Sequence, residues 1–188
     1  MKRKLVGKQL SLFDKDFKKI EKNIVLDKGY LTLINGTPCN IKVSQLAKDY
    51  GMRSAHDFNL LLLAIGFQYK INGQWITKAL YSGYGLTESE TFLYNSEGKR
   101  AKVPSEIKGQ KIYTNFTPKG RYVIYRLLKY LGIIPEVERN NEYNYNTMYD
   151  IVNVGKKLYN GKCQKVDESI KFKLDTVGKE FERVISEI

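Results

Sequence analysis

The chain has 188 residues, of which 42% are hydrophobic, and it carries a formal net charge of +12. This composition excludes a chain that is disordered throughout, because enough apolar surface is available to build a core. Its two cysteines lie far apart without the neighbouring ligands of a metal site, so we expect reduced thiols. No apolar run reaches the length of a signal peptide or a membrane span, which predicts a cytoplasmic protein with no membrane partner.

The positive charge is concentrated in residues 98–130, which carry nine Lys or Arg and one Glu. By contrast, residues 42–97 carry five cations and five acids. A local excess of this size favours a surface that binds a polyanion, with nucleic acid as the first choice. The alternative is a solvated basic surface that serves solubility.

Residues 1–29 are expected to form a basic arm with a short helix near its end. Within it, Gln9, Leu10, Ser11, Leu12 and Phe13 resemble the short peptide by which bacterial replication and repair proteins dock on the DNA sliding clamp. An extended segment could place Leu12 and Phe13 in an apolar pocket, with the Gln9 amide bonded at its rim. The alternative is that these side chains pack on the folded body.

Two strands are predicted next. Tyr30 to Ile34 is rich in residues that favour strands, Asn35-Gly36 has the composition of a hairpin turn, and Ile41 to Val43 can return as the partner strand.

Two helices follow with the spacing of a helix-turn-helix. The first is predicted to begin at Ser44 and to end at the turn around Gly51, and the second to begin at Ser54 and to end at Gly66. Their inward residues would be Leu46, Ala47, Phe58, Leu61 and Leu62. The second helix would then be the one that reads DNA.

A hairpin is predicted after the second helix. Phe67, Tyr69 and Ile71 alternate with polar residues, Asn72-Gly73 favours a two-residue turn, and Trp75 resumes on the second strand. Two helices followed by such a hairpin indicate a winged helix.

A second hairpin and a long helix complete this part of the chain. Thr91 to Tyr94 and Lys111 to Phe116 are the predicted strands, with a basic segment between them. Thr117-Pro118 has the pattern of a helix start, and Gly132 ends the helix. The residues predicted to point inward are Tyr122, Val123, Tyr125, Leu127, Leu128 and Leu131, whereas Lys119, Arg121, Arg126 and Lys129 are expected to lie largely outward.

These landmarks together resemble the KilAC domain, the C-terminal domain of phage antirepressor proteins, between about Val43 and Leu131. The matching motifs are Leu46-Ala47 with Gly51, Phe58-Asn59 with Leu62, Gly66-Phe67-Gln68-Tyr69, Gly73-Gln74-Trp75, Gly85-Leu86, Ser96-Glu97-Gly98 and Phe116-Thr117-Pro118-Lys119-Gly120-Arg121. Phe116 replaces the tryptophan that is usual in the last motif. The resemblance implies a phage or prophage regulator in a bacterial host cell, with DNA-binding ability and no enzymatic activity.

The end of the chain is predicted to be helical. Ile170, Leu174, Val177, Phe181, Val184 and Ile188 are spaced by four and three residues alternately, which is the pattern of a seam for another helix. The seam could join a second copy in a homodimer, or it could pack on the chain's own core. A short helix is also expected from Met148 to Leu158.

We therefore expect an α+β fold with a winged-helix-like helix-turn-helix core, β-hairpins and a C-terminal helical tail. The expected divisions are an arm at 1–29, a KilAC-like domain at 30–135, and a linker with a helical region at 136–188. No cofactor or metal site is expected, because no phosphate loop, histidine-carboxylate cluster or nucleophile motif is present.

The first functional hypothesis is an antirepressor-like regulator that binds double-stranded DNA. The residues expected to contact bases or phosphates are Arg53, Ser54, His56, Asn59, Lys99, Arg100, Lys102, Lys108, Lys111, Lys119 and Arg121. About six phosphate contacts would give a log-log salt slope near −5. The alternative is an inhibitor or adaptor that binds a host or phage regulatory protein, such as a repressor or the sliding clamp.

Overall fold

The computed structural model describes residues 28–161 and 168–188, and it describes the side chains of 29–161 and 174–188. The helices in these ranges are α1 (Lys28–Asn35), α2 (Val43–Asp49), α3 (Ala55–Ala64), α4 (Pro118–Tyr130), α5 (Asn146–Tyr159) and α6 (Glu168–Ser186). The strands are β1 (Ile41–Lys42), β2 (Gln68–Ile71), β3 (Gln74–Thr77), β4 (Thr87–Tyr94) and β5 (Gly109–Phe116). The expected α+β class is confirmed.

The strands form two small antiparallel sheets. In the larger sheet β5 is central, with β4 on one edge and the two residues of β1 on the other. The smaller sheet is the predicted hairpin of β2 and β3, in which Asn72 and Gly73 both have positive φ, at 48° and 80°. Because two successive positive φ values match the twist of a hairpin, this turn forms as the sequence indicates.

Helix α3 lies at the centre of the core. Four successive leucines give it apolar residues on every side, and Phe58, Leu60, Leu61 and Leu62 are each at most 1% exposed. Both α2 and α5 pack on it, and α5 approaches so closely that a Cβ atom at Gly155 would overlap the backbone carbonyl of Leu60. A helix that is hydrophobic all round is a buried helix, which is what the packing produces.

Helices α4 and α6 pack together on the other part of the core. Thr117 caps α4, since its hydroxyl oxygen accepts a hydrogen bond from the Gly120 N–H at 3.0 Å. On α6, Val177, Phe181 and Val184 are at most 1% exposed, and the Phe181 ring contacts the ring of Tyr81 with centroids 4.4 Å apart. Three residues of the predicted C-terminal seam, Val177, Phe181 and Val184, are therefore packed within the chain.

The prediction for residues 30–43 is wrong. Tyr30 to Ile34 lies in α1, because Tyr30, Leu31 and Ile34 share one side of a helix and reach the core together, which outweighs their preference for strands. Asn35-Gly36 ends this helix, with the Gly36 N–H bonded to the Thr32 carbonyl at 2.9 Å. The returning strand is only β1, and it pairs with β5.

The predicted start of the first helix of the pair also needs correction. Helix α2 begins at Val43, with Lys42 at the N-cap position and no capping hydrogen bond from its side chain, so Ser44 lies inside the helix. The other helix signals are confirmed: the Ser54 hydroxyl accepts a hydrogen bond from the Asp57 N–H at 3.1 Å, and Gly51 adopts a φ of +58°. The predicted helix from Met148 to Leu158 is confirmed as part of α5.

Candidate functional site

The residues expected to read DNA lie at the start of α3, and only part of that start is open. Arg53 and His56 are exposed, whereas the Ser54 side chain is engaged in capping the helix. The ring of His56 lies edge-on to that of Tyr159, with the centroids 5.6 Å apart. A recognition helix needs a free side over its first turns to enter the major groove. Since α5 covers the flank of α3, the proposed reading helix is not presented in this way.

Asn59 does not fit the expectation that it contacts a base. It is 8% exposed, and its side-chain oxygen accepts a hydrogen bond from the Gln68 amide at 2.6 Å. Gln68 is itself only 1% exposed. This hydrogen bond therefore connects α3 to β2 inside the protein, and it gives the buried Asn59 oxygen a donor and the buried Gln68 N–H an acceptor.

An aromatic cluster fixes the end of α5 against the first hairpin. Trp75 of β3 stacks on Tyr159 of α5 with centroids 6.0 Å apart, and the Lys70 ammonium lies over both rings. Lys70 also donates a hydrogen bond to the Tyr159 hydroxyl at 2.9 Å. These contacts anchor the helix that covers α3.

Arg121, expected to contact phosphate, is sealed inside the protein. It is 1% exposed, its guanidinium lies 3.8 Å from the Asp49 carboxylate, and it donates a hydrogen bond to the Thr37 carbonyl at 3.3 Å. The Tyr30 hydroxyl donates to the same carboxylate at 2.6 Å. The helical periodicity predicted that this cation lies on the surface. Its partner Asp49 is 72 positions away, so the buried pair cannot be seen in the local sequence.

Two more cations of the basic stretch are used internally. Arg126 donates hydrogen bonds to the Tyr122 hydroxyl at 2.7 Å and to Glu187 at 3.1 Å. Lys129 lies 3.8 Å from the carboxylate of Glu138. With Arg121, they are three of the nine cations in 98–130 that bind groups of the protein itself. Six cations therefore remain that could contact a polyanion.

The remaining six cations lie on or beside the second hairpin. Lys99 forms an ion pair with Glu97 at 2.8 Å, and Arg100 lies 3.4 Å from Glu90. The other expected phosphate ligands are Lys102, Lys108 and Lys111, which are exposed, and Lys119, which is half-buried. The open positive charge is thus smaller than the sequence suggests.

A groove of about 590 Å³ runs between the starts of α2 and α3, the turn of the first hairpin and the edge of β5. Trp75 and Ile112 supply apolar surface, Gln74 and Gln110 supply amides, and the cation on its β5 side is Lys111. A second cation, Lys42, comes from the end of β1. No Asp or Glu is found among the described residues that line it. The groove therefore combines the features of a site for an extended, negatively charged ligand.

Sequence reasoning missed this groove. Its strand residues come from β5, which was predicted correctly, but its other wall comes from residues 42–44 and 72–75, far away in sequence. Of the lining residues, only Lys111 and Asn59 had been proposed as functional. One signal was present in β5: polar and apolar residues occur on both of its faces, at Gln110, Ile112 and Thr114 on one and at Lys111 and Tyr113 on the other. Residues of both faces line the groove.

The last family motif forms a structural joint. A Cβ atom at Gly120 would overlap the Leu86 carbonyl, so only glycine lets α4 meet the segment before β4 this closely. The Thr117 hydroxyl donates to the Gly85 carbonyl at 2.7 Å, and Arg121 is the buried cation described above. The motif thus holds α4 against the second hairpin.

Burial also sets the protonation of the core tyrosines. It raises the pKa of Tyr81 to about 12. It raises the pKa of Tyr30 as well, where the hydrogen bond to Asp49 adds to the effect, and it raises that of Tyr50 well above its usual value. All three phenols are therefore neutral at physiological pH, and they act as packing and hydrogen-bonding groups.

Two further predicted sites, the N-terminal peptide and the C-terminal seam, lie wholly or partly outside the described residues. Gln9, Leu10, Ser11, Leu12 and Phe13 lie outside the described residues, as does the side chain of Ile170. Leu174 and Ile188 are half-buried beside the core residues Val177, Phe181 and Val184, so these five residues pack on the chain's own core, and the homodimer stays a prediction.

Within residues 28–161 and 168–188, no helix is long and apolar enough to cross a membrane. No group of three or more His, Cys, Asp or Glu residues in that part of the chain is placed to hold a metal ion.

Comparison with known families gives one result. The family profile described as the phage antirepressor protein KilAC domain matches residues 29–130, which is more than half of the chain and includes all the motifs that suggested it. Searches of curated proteins and of solved structures found no match. The description is that of a regulatory and not a catalytic protein. The chain belongs to the phage antirepressor KilAC domain family.

Proposed function

We propose that this protein is an antirepressor-like regulator that acts by binding another regulatory protein. The observation that carries the proposal is the enclosure of α3: the helix that would read DNA is covered by α2 and α5, while the groove beside it is open. Family membership supports the regulatory role. Two helices followed by a hairpin are the order of a winged helix, and the proposal therefore includes a winged-helix-like arrangement. Strand β1 pairs with β5 and not with that hairpin.

The experiment uses the repressor of the phage or prophage that carries this chain, bound to a labelled operator duplex. If the protein acts by contact with the repressor, it releases the duplex and co-elutes with the repressor in size-exclusion chromatography. Release without a protein complex would contradict the proposal, as would an intact repressor-operator complex at saturating protein.

Direct binding of double-stranded DNA is the second candidate, favoured by the exposed lysines of the second hairpin. Lys102, Lys108 and Lys111 are open to solvent, and Lys119 begins the adjoining helix. With about four phosphate contacts, the log-log salt slope of duplex binding should be near −3.6. The triple change Lys102→Ala/Lys108→Ala/Lys111→Ala should bring this slope close to −1. A gel shift with no salt dependence, or no shift at low salt, would exclude this candidate.

A further inference from the structure

Strand β5 has one paired and one largely unpaired edge. Along one side it pairs with β4 over its full length, from Thr87 opposite Phe116 to Tyr94 opposite Gly109. Along the other side β1 pairs only with Asn115 and Phe116. In the described part of the chain, the edge from Gly109 to Thr114 therefore has no partner strand.

The direction of the backbone groups on this edge follows from the ladder. The Thr117 N–H donates to the Leu86 carbonyl at 3.1 Å, one step beyond the last pair of β4 and β5. Doubly hydrogen-bonded pairs recur at every second residue of an antiparallel ladder, so Lys111 and Tyr113 direct their N–H and C=O groups to β4. Gln110, Ile112 and Thr114 accordingly direct theirs to the open edge.

That open edge is one wall of the 590 Å³ groove. The Thr114 hydroxyl donates to the Trp75 carbonyl at 3.0 Å, which ties β3 to β5 beside the groove. Its described lining includes the cations Lys42 and Lys111 and no acid. An unpaired strand edge beside such a groove is suited to a ligand that brings its own backbone hydrogen bonds and negative side chains.

We propose that the groove binds an extended acidic segment of the partner protein, which adds to the sheet as a strand beside β5. Backbone groups of the segment pair with Gln110, Ile112 and Thr114, and its alternate carboxylates lie near Lys42 and Lys111. The inference rests on the proposed function, since it gives the chemistry of the protein that is bound. It shares Lys111 with the DNA-binding candidate, whose other hairpin lysines, Lys102 and Lys108, do not line the groove.

The probe is an acetylated and amidated peptide of alternating valine and glutamate, with binding to the full chain followed by fluorescence polarisation. Two matched peptides serve as controls: one has lysine in place of glutamate, and one is N-methylated at alternate backbone amides. We expect the acidic peptide to bind, and each control to bind at least about tenfold more weakly, because charge or backbone pairing is lost.

Changes in the protein separate backbone from side-chain effects. Ile112→Pro removes the one N–H at the centre of the edge, and it leaves the bonds to β4 in place because that N–H points away from β4. Ile112→Ala removes the side chain and keeps the N–H. We expect Ile112→Pro to weaken acidic-peptide binding by about tenfold relative to Ile112→Ala, with both variants checked for folding by urea unfolding. Lys111→Glu should weaken it similarly.

Several outcomes would overturn the strand-addition proposal. They are no binding of the acidic peptide at millimolar concentration, equal binding of the N-methylated peptide, and equal binding by folded Ile112→Pro and Ile112→Ala. If the protein still releases the repressor from its operator and the peptide does not compete, the partner binds elsewhere and the proposed function stands. If the wild-type protein fails to release the repressor, the proposed function itself is wrong.

Discussion

Helix α3 and strand β5 both came from stretches with the features of a DNA-binding surface, yet their surroundings differ. In α3, Phe58 and Leu60 to Leu62 are buried by neighbouring helices, and Asn59 is bonded inward to Gln68. In β5, Gln110, Ile112 and Thr114 direct their backbone groups to an edge that no strand of the described residues pairs with, beside a groove. The difference shows that a motif which resembles a reading helix can serve mainly as part of the core.

The largest expected effect is on the free energy of unfolding, and it distinguishes a buried cation from an exposed one in the same basic stretch. Arg121→Ala should lower the free energy of unfolding by about 3–5 kcal/mol, because it leaves the Asp49 carboxylate buried without its cation. Lys111→Ala, on the exposed strand, should change it by no more than about 0.5 kcal/mol. Urea unfolding measures both. Equal small losses would show that Arg121 is accessible to water.

The covering of α3 by α5 can be tested with two glycines. Gly155→Ala should destabilise the protein by about 1–3 kcal/mol, because the new methyl group overlaps the Leu60 carbonyl and forces α5 away from α3. Gly178→Ala is the matched control in α6, where no atom lies within 4 Å of the added Cβ. It should stabilise the helix by about 0.5–1 kcal/mol. A neutral Gly155→Ala would contradict the close packing of α5.

Amide side chains on the two elements provide a smaller contrast. Asn59→Ala should cost about 1–3 kcal/mol, since the buried Gln68 amide loses its side-chain acceptor at 2.6 Å and keeps only the longer bond to the Asn59 backbone carbonyl at 3.3 Å. Gln110→Ala, on the open edge, should stay within about 0.5 kcal/mol. If thermal or urea unfolding gives the same loss for both, the groove side of β5 is more enclosed than its exposure indicates.

The smallest expected effect concerns alkaline pH. The folded-state pKa of Tyr81 is raised to about 12, above the usual value near 10. The folded protein thus retains a proton that the unfolded chain releases, so this contribution is fully present below pH 10 and is lost as the pH rises towards 12. Tyr81→Phe should make the loss of stability over that range less steep. An unchanged slope would mean that Tyr81 titrates normally.

The sequence was sufficient where a short segment determines its own conformation. The Asn72-Gly73 turn and the Thr117-Pro118 helix start depend on backbone preferences within a few residues, and both are confirmed. Tyr30 to Ile34 was assigned wrongly because its local preference for a strand was outweighed by burial against distant residues.

The candidate site was less accessible from sequence. The burial of Arg121 depends on Asp49, and the groove depends on three segments that meet only in the folded chain. One signal was available for α3: four successive leucines place apolar residues on every side of the second half of the helix, which favours burial there. The charge count also treated every cation as exposed, whereas ion pairs and burial withdraw several of them.

The two-residue length of β1 sets a limit on what can be recognised. Because β1 pairs with Asn115 and Phe116 and the chain then turns into α2 at Val43, the open edge is limited to Gly109 to Thr114, which is about 20 Å of extended chain. A slip of one residue would turn every side chain of an added strand to the opposite side. Strand β1 therefore limits the length of any strand added beside β5. Under the strand-addition proposal, the protein would select partners by a short linear motif in a fixed register.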